Sequence, residues 1–400
     1  MGPRLGFIIV TLMLFLLGMV IAYSASSIFS LYYGTEPLRT LRNQLIFAAI
    51  GVACIFLLVK LFPTYVWHSR FAWIVWGIMF ALIVATALYG TSEGGAQRWL
   101  PLFGVEFQPA EFVKPVLCVI SAHVMMEVRE NNLSILQLLL RIGAIAIPVG
   151  VLYVSQSDLG TAVICAICVL AVLYFAGAPK GIFVALVAFG ALAVYFSIVG
   201  TGYRSNRFVY LDPYNDGEGG YGLGYQTIRS LYAFADGGIF GVGLGNSLEK
   251  YLYLPAINTD YVFAAIGEEL GLVGCTFVIV LFILFMYFGY RIAREASNEF
   301  ASILAGSMTT TIVFQAFLNM GCAISLFPMT GKPLPFISVG GTSLVATLIM
   351  VGFILAVSWQ AGKDQDYAAH RADLRVIQRA DADAAFSHQG KRNTTYRFRM

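Results

Sequence analysis

Three acidic and three basic residues stand where an otherwise apolar chain offers them no ordinary place. Asp260, Glu268 and Glu269 fall within ten residues of one another in LPAINTDYVFAAIGEELG (254–271), where a polar, turn-rich stretch gives way to a long apolar run. Arg98 sits in GAQRW (95–99), Lys114 in QPAEFVK (108–114) and Lys332 between Gly331 and Pro333 in PMTGKPLPFISVGGTS (328–343). Ionisable groups in an apolar sequence are costly and point to function by default. A carboxylate can take the proton of an attacking hydroxyl, and cations nearby can hold the charge of an anionic leaving group such as a diphosphate. The chain has no Walker loop and no Ser–His–Asp set, and its four histidines (His68, His123, His370, His388) are scattered. Chemistry here must therefore run on carboxylates and cations, without ATP. A membrane-embedded transferase acting on a lipid diphosphate sugar needs such an inventory.

Membrane helices must position these residues. The 400-residue chain is 58% hydrophobic and only 12% charged, with a mean hydropathy of +0.77, whereas soluble domains carry roughly 25% charged residues. An all-α polytopic membrane protein is expected. Apolar runs of spanning length predict ten transmembrane helices, at 5–27, 44–62, 71–89, 110–127, 137–154, 159–176, 182–200, 260–288, 300–324 and 338–359. The first is too long for a signal-peptide core and reads as a retained helix. An even number of spans puts both termini on one side. Eight basic residues in the short segments of that side and eight more in the tail, against five in the short loops and helix mouths opposite, make it cytoplasmic. Residues 1–360 form one membrane domain on this plan, and 361–400 a flexible cytoplasmic tail near anionic lipid. The net charge of +3 gives no reason to expect nucleic acid. No internal repeat supports an inverted-repeat transporter.

The segment 201–258, between the seventh and eighth spans, is expected outside. It holds 11 glycines and nine charged residues, and loops of this length are uncommon unless functional. Within it, 225–234 predicts a short interfacial helix. The glycine run 237–247 reads either as close backbone packing or as substrate contact.

Thr259 is the expected N-cap of the eighth span, leaving the Asp260 carboxylate for substrate. At 3.6 residues per turn, Ala264, Gly267 and Gly271 lie within about 40° of Asp260. They form a small-residue groove for another helix or for a lipid tail. Glu268 and Glu269 point elsewhere and are expected to bond between helices. Glu111 and Lys114, three apart, share a helix face as an ion pair, with Lys114 and Arg98 on the side of a diphosphate headgroup. Asp158 caps the sixth span. Cys165 and Cys168 form a CxxC inside an apolar run and read as plain apolar residues.

Six motifs then occur in order: GAQRW, QPAEFVK, QSDLGTA, a YQ…S…GVGLGNS…K…YLP run, TDYVFAAIGEELG and PMTGKPLPFISVGGTS. This series resembles the SEDS family (shape, elongation, division and sporulation), whose members include the FtsW and RodA proteins, over about residues 5–360. The IGEELG and GVGLGNS stretches are more similar to the FtsW branch. The resemblance implies a peptidoglycan glycosyltransferase in the bacterial cytoplasmic membrane that joins lipid II units at the outer face and releases undecaprenyl diphosphate. It further implies a class B penicillin-binding protein and other divisome proteins as partners, at the division septum. The family's essential aspartate falls on Asp260, as general base. Its functional Arg falls on Arg98 and its Glu/Lys pair on Glu111 and Lys114, with Lys250, Lys332 and Ser338 counted beside them as substrate-binding. A divalent cation (Mg or Mn) is a possible co-stabiliser of the diphosphate. Asn258 stands where the family commonly has His, so no local histidine relay can be invoked. A lipid II flippase, a RodA-type elongation polymerase and a silent division scaffold are the competing readings.

Overall fold

The computed structural model describes residues 2–364, apart from 200–209 and positions 33, 35, 37, 94, 95, 103, 104, 132, 133 and 157. The expected tail beyond 364 and the start of the 201–258 loop lie outside the described residues. Helices cover each predicted apolar run, and they begin where the chain supplies start signals. Helix α1 spans Pro3–Tyr32, α2 Arg39–Lys60, α3 the single turn Thr64–Trp67 and α4 Arg70–Tyr89, where Ser69 accepts from the Phe71 N–H as N-cap. Helix α5 spans Pro109–Asn131, with proline in its first turn. Next come α6 (Ile135–Gln156), α7 (Leu159–Phe175) and α8 (Lys180–Val199). The interfacial helix α9 is Tyr225–Gly237, three residues longer than expected. Helices α10 (Val262–Arg294), α11 (Glu299–Ala323) and α12 (Gly341–Asp364) complete the series.

Among the described residues, seven of these helices are long and apolar enough to cross a membrane: α1, α2, α4, α6, α10, α11 and α12. Helix α5 is long but carries Glu111, Lys114, Glu127, Arg129 and Glu130, and α7 is a 17-residue apolar helix. The all-α expectation needs one correction. Three strands (Thr91–Glu93, Ala96–Leu102, Val105–Phe107) form an antiparallel meander, with Thr91 opposite Trp99 and Leu100 opposite Phe107. The alternation in AQRWLPL is short and sits between two apolar spans, which hid it. Arg98 is therefore held on a strand rather than at a helix mouth.

Helix α11 is the hub, buried on nearly all sides. It packs against α10, α7 and α5, while α1 lies along α10, with the Phe7 and Phe285 rings 4.6 Å apart. Helix α10 is broken at Gly271, whose φ of 66° and ψ of −164° are open to glycine almost alone. In a membrane the backbone groups freed by such a break need partners. The glycine run of the loop supplies them. The N–H groups of Val242 and Gly243 donate to the carbonyls of Glu268 and Glu269 (2.9 and 3.0 Å), and those of Leu272 and Val273 donate to Gly238 and Ile239 (2.9 and 3.1 Å). A Cβ on Gly271 would come within 2.4 Å of the Gly241 nitrogen, and one on Gly241 within 2.2 Å of the Glu269 oxygen. Close packing is thus what this run does.

The same contacts answer the groove beneath Asp260. A Cβ on Gly267 would strike the Phe234 ring at 2.2 Å, and one on Gly237 the Gly267 carbonyl at 2.0 Å. Helix α9 fills the groove, so no lipid tail runs there. Replacing Gly271 with alanine adds backbone strain of about 1–3 kcal/mol to a clash with loop backbone. It is expected to lower the thermal midpoint in detergent and to free the loop to protease. An unchanged midpoint and digestion pattern would contradict this clamp.

Two further expectations change. Glu268 accepts from Ser247 Oγ and the Leu248 N–H (both 2.5 Å), and Glu269 accepts from Ser24 Oγ of α1 (2.5 Å) and Lys250 Nζ (3.4 Å). The pair anchors the loop rather than simply joining helices. The histidines are not all scattered: His68 and His123 face each other, Nδ1 to Nδ1, at 3.3 Å, with Glu130 and Glu127 each 3.6 Å from an outer nitrogen. The cysteines are free thiols, and Cys168 accepts from Thr311 at 3.4 Å.

Candidate active site

Asp260 closes a tight turn at the head of α10. The N–H groups of Thr259, Asp260 and Tyr261 all reach the Ala256 carbonyl, at 3.1, 3.1 and 3.2 Å. Thr259 also turns its hydroxyl to that carbonyl (3.3 Å). The N-cap position belongs to Tyr261, which makes no side-chain cap bond. The expected Thr259 cap is therefore corrected: the turn was already satisfied locally by one carbonyl, which competes with a cap.

The turn is tied to the proline-rich segment before α12. Ser338 Oγ donates to the Thr259 carbonyl (2.5 Å) and accepts the Leu334 N–H (2.8 Å), and the Val339 N–H donates to Asn258 (2.9 Å). Two residues that sequence reasoning passed over complete the tie. Asn319 Nδ2 donates to the backbone carbonyls of both Asp260 and Lys332, each at 2.8 Å. Gln315, one turn before it on α11, accepts from Lys114 Nζ (2.7 Å) and donates to the Pro333 carbonyl (2.8 Å). The signal was available: two amides four residues apart in an apolar span share one face.

The charged groups collect around this frame in pairs. Lys332 donates to Asp158 at 2.6 Å, both side chains being 3% exposed. Asp158 also caps α7, accepting the Thr161 N–H (3.0 Å) and hydroxyl (2.8 Å). It is thus a cap and an ion-pair partner together. Glu111 and Lys114 pair at 2.7 Å, 2% and 1% exposed. Arg98 acts electrostatically on Asp158, Lys332 and Asp260. Burial alone would raise the Asp158 carboxyl, but the Lys332 ammonium, Arg98 and the Thr161 bond hold it at about 2.

Asp260 differs from all of these. Its carboxylate makes no hydrogen bond among the described residues, and it lies beside Gly331, where a Cβ would sit 3.8 Å from Oδ2. Burial pushes its pKa up to about 6, the Lys332 and Arg98 charges opposing and Asp158 adding to the rise. A carboxylate so placed is mostly ionised at neutral pH yet basic enough to accept a proton. Activity that depends on it should rise about tenfold from pH 5 to pH 7. A pH–rate profile flat across that range would exclude Asp260 as the titrating base.

Two expected site residues lie elsewhere or are committed. Lys250 is buried in the loop anchor, with Gly245 and Glu269 as partners. Ser338 gives its hydroxyl to the backbone, so it shapes the turn instead of meeting a ligand.

Similarity to known proteins accords with this arrangement. Residues 4–363 match the family model for FtsW, RodA and SpoVE, described as cell cycle proteins. The chain belongs to the SEDS family. Stage V sporulation protein E of Bacillus subtilis is 33% identical to this SEDS protein over 365 residues, 89% of this chain and 97% of that one. The probable peptidoglycan glycosyltransferase FtsW of Pasteurella multocida is 36% identical over 300 residues, 73% of each chain. Its counterpart in Mycobacterium tuberculosis is 34% identical over 87% of this chain and 66% of that one. The fold is shared with a chain of a peptidoglycan synthase complex that coordinates polymerization and crosslinking (TM-score 0.71, 24% identity, 89% of this chain and 97% of that one). It is shared too with the rod shape determining protein RodA of Thermus thermophilus (TM-score 0.63, 24% identity, 88% and 95%).

Proposed function

We propose that this SEDS protein is a peptidoglycan glycosyltransferase that polymerises lipid II. The observation that carries the reading is the Asp260 carboxylate, which makes no hydrogen bond among the described residues while the Lys332–Asp158 and Glu111–Lys114 groups around it are paired. Asp260 takes the proton of the acceptor GlcNAc 4-hydroxyl as that oxygen attacks the anomeric carbon of the donor MurNAc. The bond from that carbon to the diphosphate breaks, inversion gives a β-1,4 link, and undecaprenyl diphosphate departs with the bonding electrons. Arg98 meets the diphosphate directly. Lys332 and Lys114, fixed by Asp158 and by Glu111 and Gln315, act beneath it as charges that need not reorganise.

A resident divalent-cation site does not fit these residues. Lys332 already occupies Asp158, and among the described residues no group of three His, Cys, Asp or Glu side chains is placed to hold a metal ion.

In this reading α5, α7 and α8 complete a ten-span plan, with 201–258 outside and both termini in the cytoplasm. A class B penicillin-binding protein is the partner, within the divisome at the septum. The neighbouring structure of a synthase complex that couples polymerization to crosslinking supports a crosslinking partner. The test is polymerisation of lipid II by the purified protein with its transpeptidase partner, beside vesicles loaded with labelled lipid II. Glycan product is expected. Transfer of lipid II between leaflets with no product would replace the enzyme by a transporter.

A further inference from the structure

Helix α12 begins at the Asp260 site and ends at a second polar cluster, roughly 27 Å farther along at 1.5 Å per residue. There the ring of Trp359 is surrounded by three cations. The Lys60 ammonium, from the end of α2, lies 4.1 Å from its centroid, the Arg4 guanidinium, from the start of α1, 5.2 Å, and the Lys363 ammonium 6.0 Å. Arg4 is fixed in place, its Nε donating to Ser358 Oγ (3.1 Å) and its Nη2 to the Ser358 carbonyl. None of the three cations has a carboxylate partner among the described residues. The indole N–H, itself buried, has no acceptor there either.

Beside this cluster a cleft of about 350 Å³ opens between the start of α1 and the ends of α10 and α12. Its walls include Leu5, Ile8, Ile292 and Ala361, and Arg4 forms part of its rim. Leu5 and Ile8 continue onto an apolar outer face of α1, where they are 54% and 42% exposed and Leu12 is 52% exposed. The acid in the wall, Glu295, is held by Arg291 at 3.1 Å.

We propose that this end of α12 binds an anionic glycerophospholipid. The phosphodiester is held by Arg4, Lys60 and Lys363 around Trp359, and an acyl chain enters the adjoining cleft. Three like charges gathered on one indole repel one another, and an anion supplies the missing countercharge. The apolar wall that runs from the cleft onto the helix surface selects a lipid over a free phosphate. Basic pockets between membrane helices recognise such headgroups, and a tryptophan at this level suits the interface.

The test uses the full chain in phosphatidylcholine vesicles, with brominated phosphatidylglycerol or brominated phosphatidylcholine added as quencher. The Trp359 signal is the difference between the native protein and Trp359→Phe. It should be quenched at a mole fraction of brominated phosphatidylglycerol about tenfold lower than of brominated phosphatidylcholine. Lys60→Gln/Lys363→Gln changes two exposed side chains and leaves Arg4 on Ser358, so the fold is kept, and it should abolish that preference. Glycerol phosphate should not compete. Equal quenching by the two lipids, or a preference that survives the double substitution, would overturn the site. Competition by glycerol phosphate would make it a free-phosphate site and overturn the lipid assignment.

Discussion

Asp260→Asn is expected to lower the rate of glycan formation by about 100- to 10,000-fold, the usual contribution of a general base, while leaving the fold intact. The physical reason for an intact fold is specific. The carboxylate makes no hydrogen bond among the described residues, and the links from this turn to α11 and α12 run through backbone carbonyls that asparagine keeps. The pKa of Asp260 is raised to about 6, so ionisation costs stability as pH rises from the ordinary carboxylate range through 6. At neutral pH the uncharged asparagine is therefore expected to melt no lower than the native protein. A variant that loses activity together with several degrees of melting temperature would point to a structural role for Asp260. One that keeps its rate would remove it from the chemistry.

Lys332→Met is expected to act on stability as well as on rate. Removing one partner of a buried ion pair costs about 3–5 kcal/mol, because the other charge stays buried. Here the stranded group is Asp158, 3% exposed, with Thr161 its one remaining hydrogen-bond partner among the described residues. Asp158→Asn added to Lys332→Met removes the stranded charge and should recover most of the lost stability. It should not recover activity, since the fixed positive charge near the leaving diphosphate is gone. Thermal unfolding and polymerisation measured on the same three proteins separate the two effects. A double variant as unstable as the single one, or one restored in both respects, would contradict the division of roles. A carboxylate held at about 2 contributes stability that is fully present above the ordinary carboxylate value and lost as pH falls through 2. The pair should therefore hold down to about pH 4.

Much of this arrangement can be read from residue types alone. Each apolar run is covered by a helix, and among the described residues seven of these helices are long and apolar enough to cross a membrane, because length and hydropathy dominate there. Asp260, Arg98, Lys332, Asp158 and the Glu111–Lys114 pair come together as their oddity in an apolar chain suggests. Several of the differences arise because partners lie far off in sequence. Glu269 does link helices, through Ser24 of α1, but loop residues 247–250 also bond it and Glu268. The groove under Asp260 looks open until Phe234 fills it. Ser338 reads as a ligand hydroxyl, yet it is committed to a turn 79 residues away. Gln315 and Asn319 drew no notice because amides carry no charge. In the fold they join the Asp260 turn to Lys332 and Lys114. The strand bearing Arg98 escaped because three short strands between spans make a weak alternation signal.

The central claim is that Asp260 accepts the hydroxyl proton in the bond-forming step. Single-turnover polymerisation of pre-bound lipid II, followed from pH 5 to pH 8 in the native protein and in Asp260→Asn, tests it most directly. The native rate should climb through an acid limb near pH 6, and the residual rate of the variant should be flat with pH at equal lipid II binding. An acid limb that persists unchanged in Asp260→Asn would show that another group is the base.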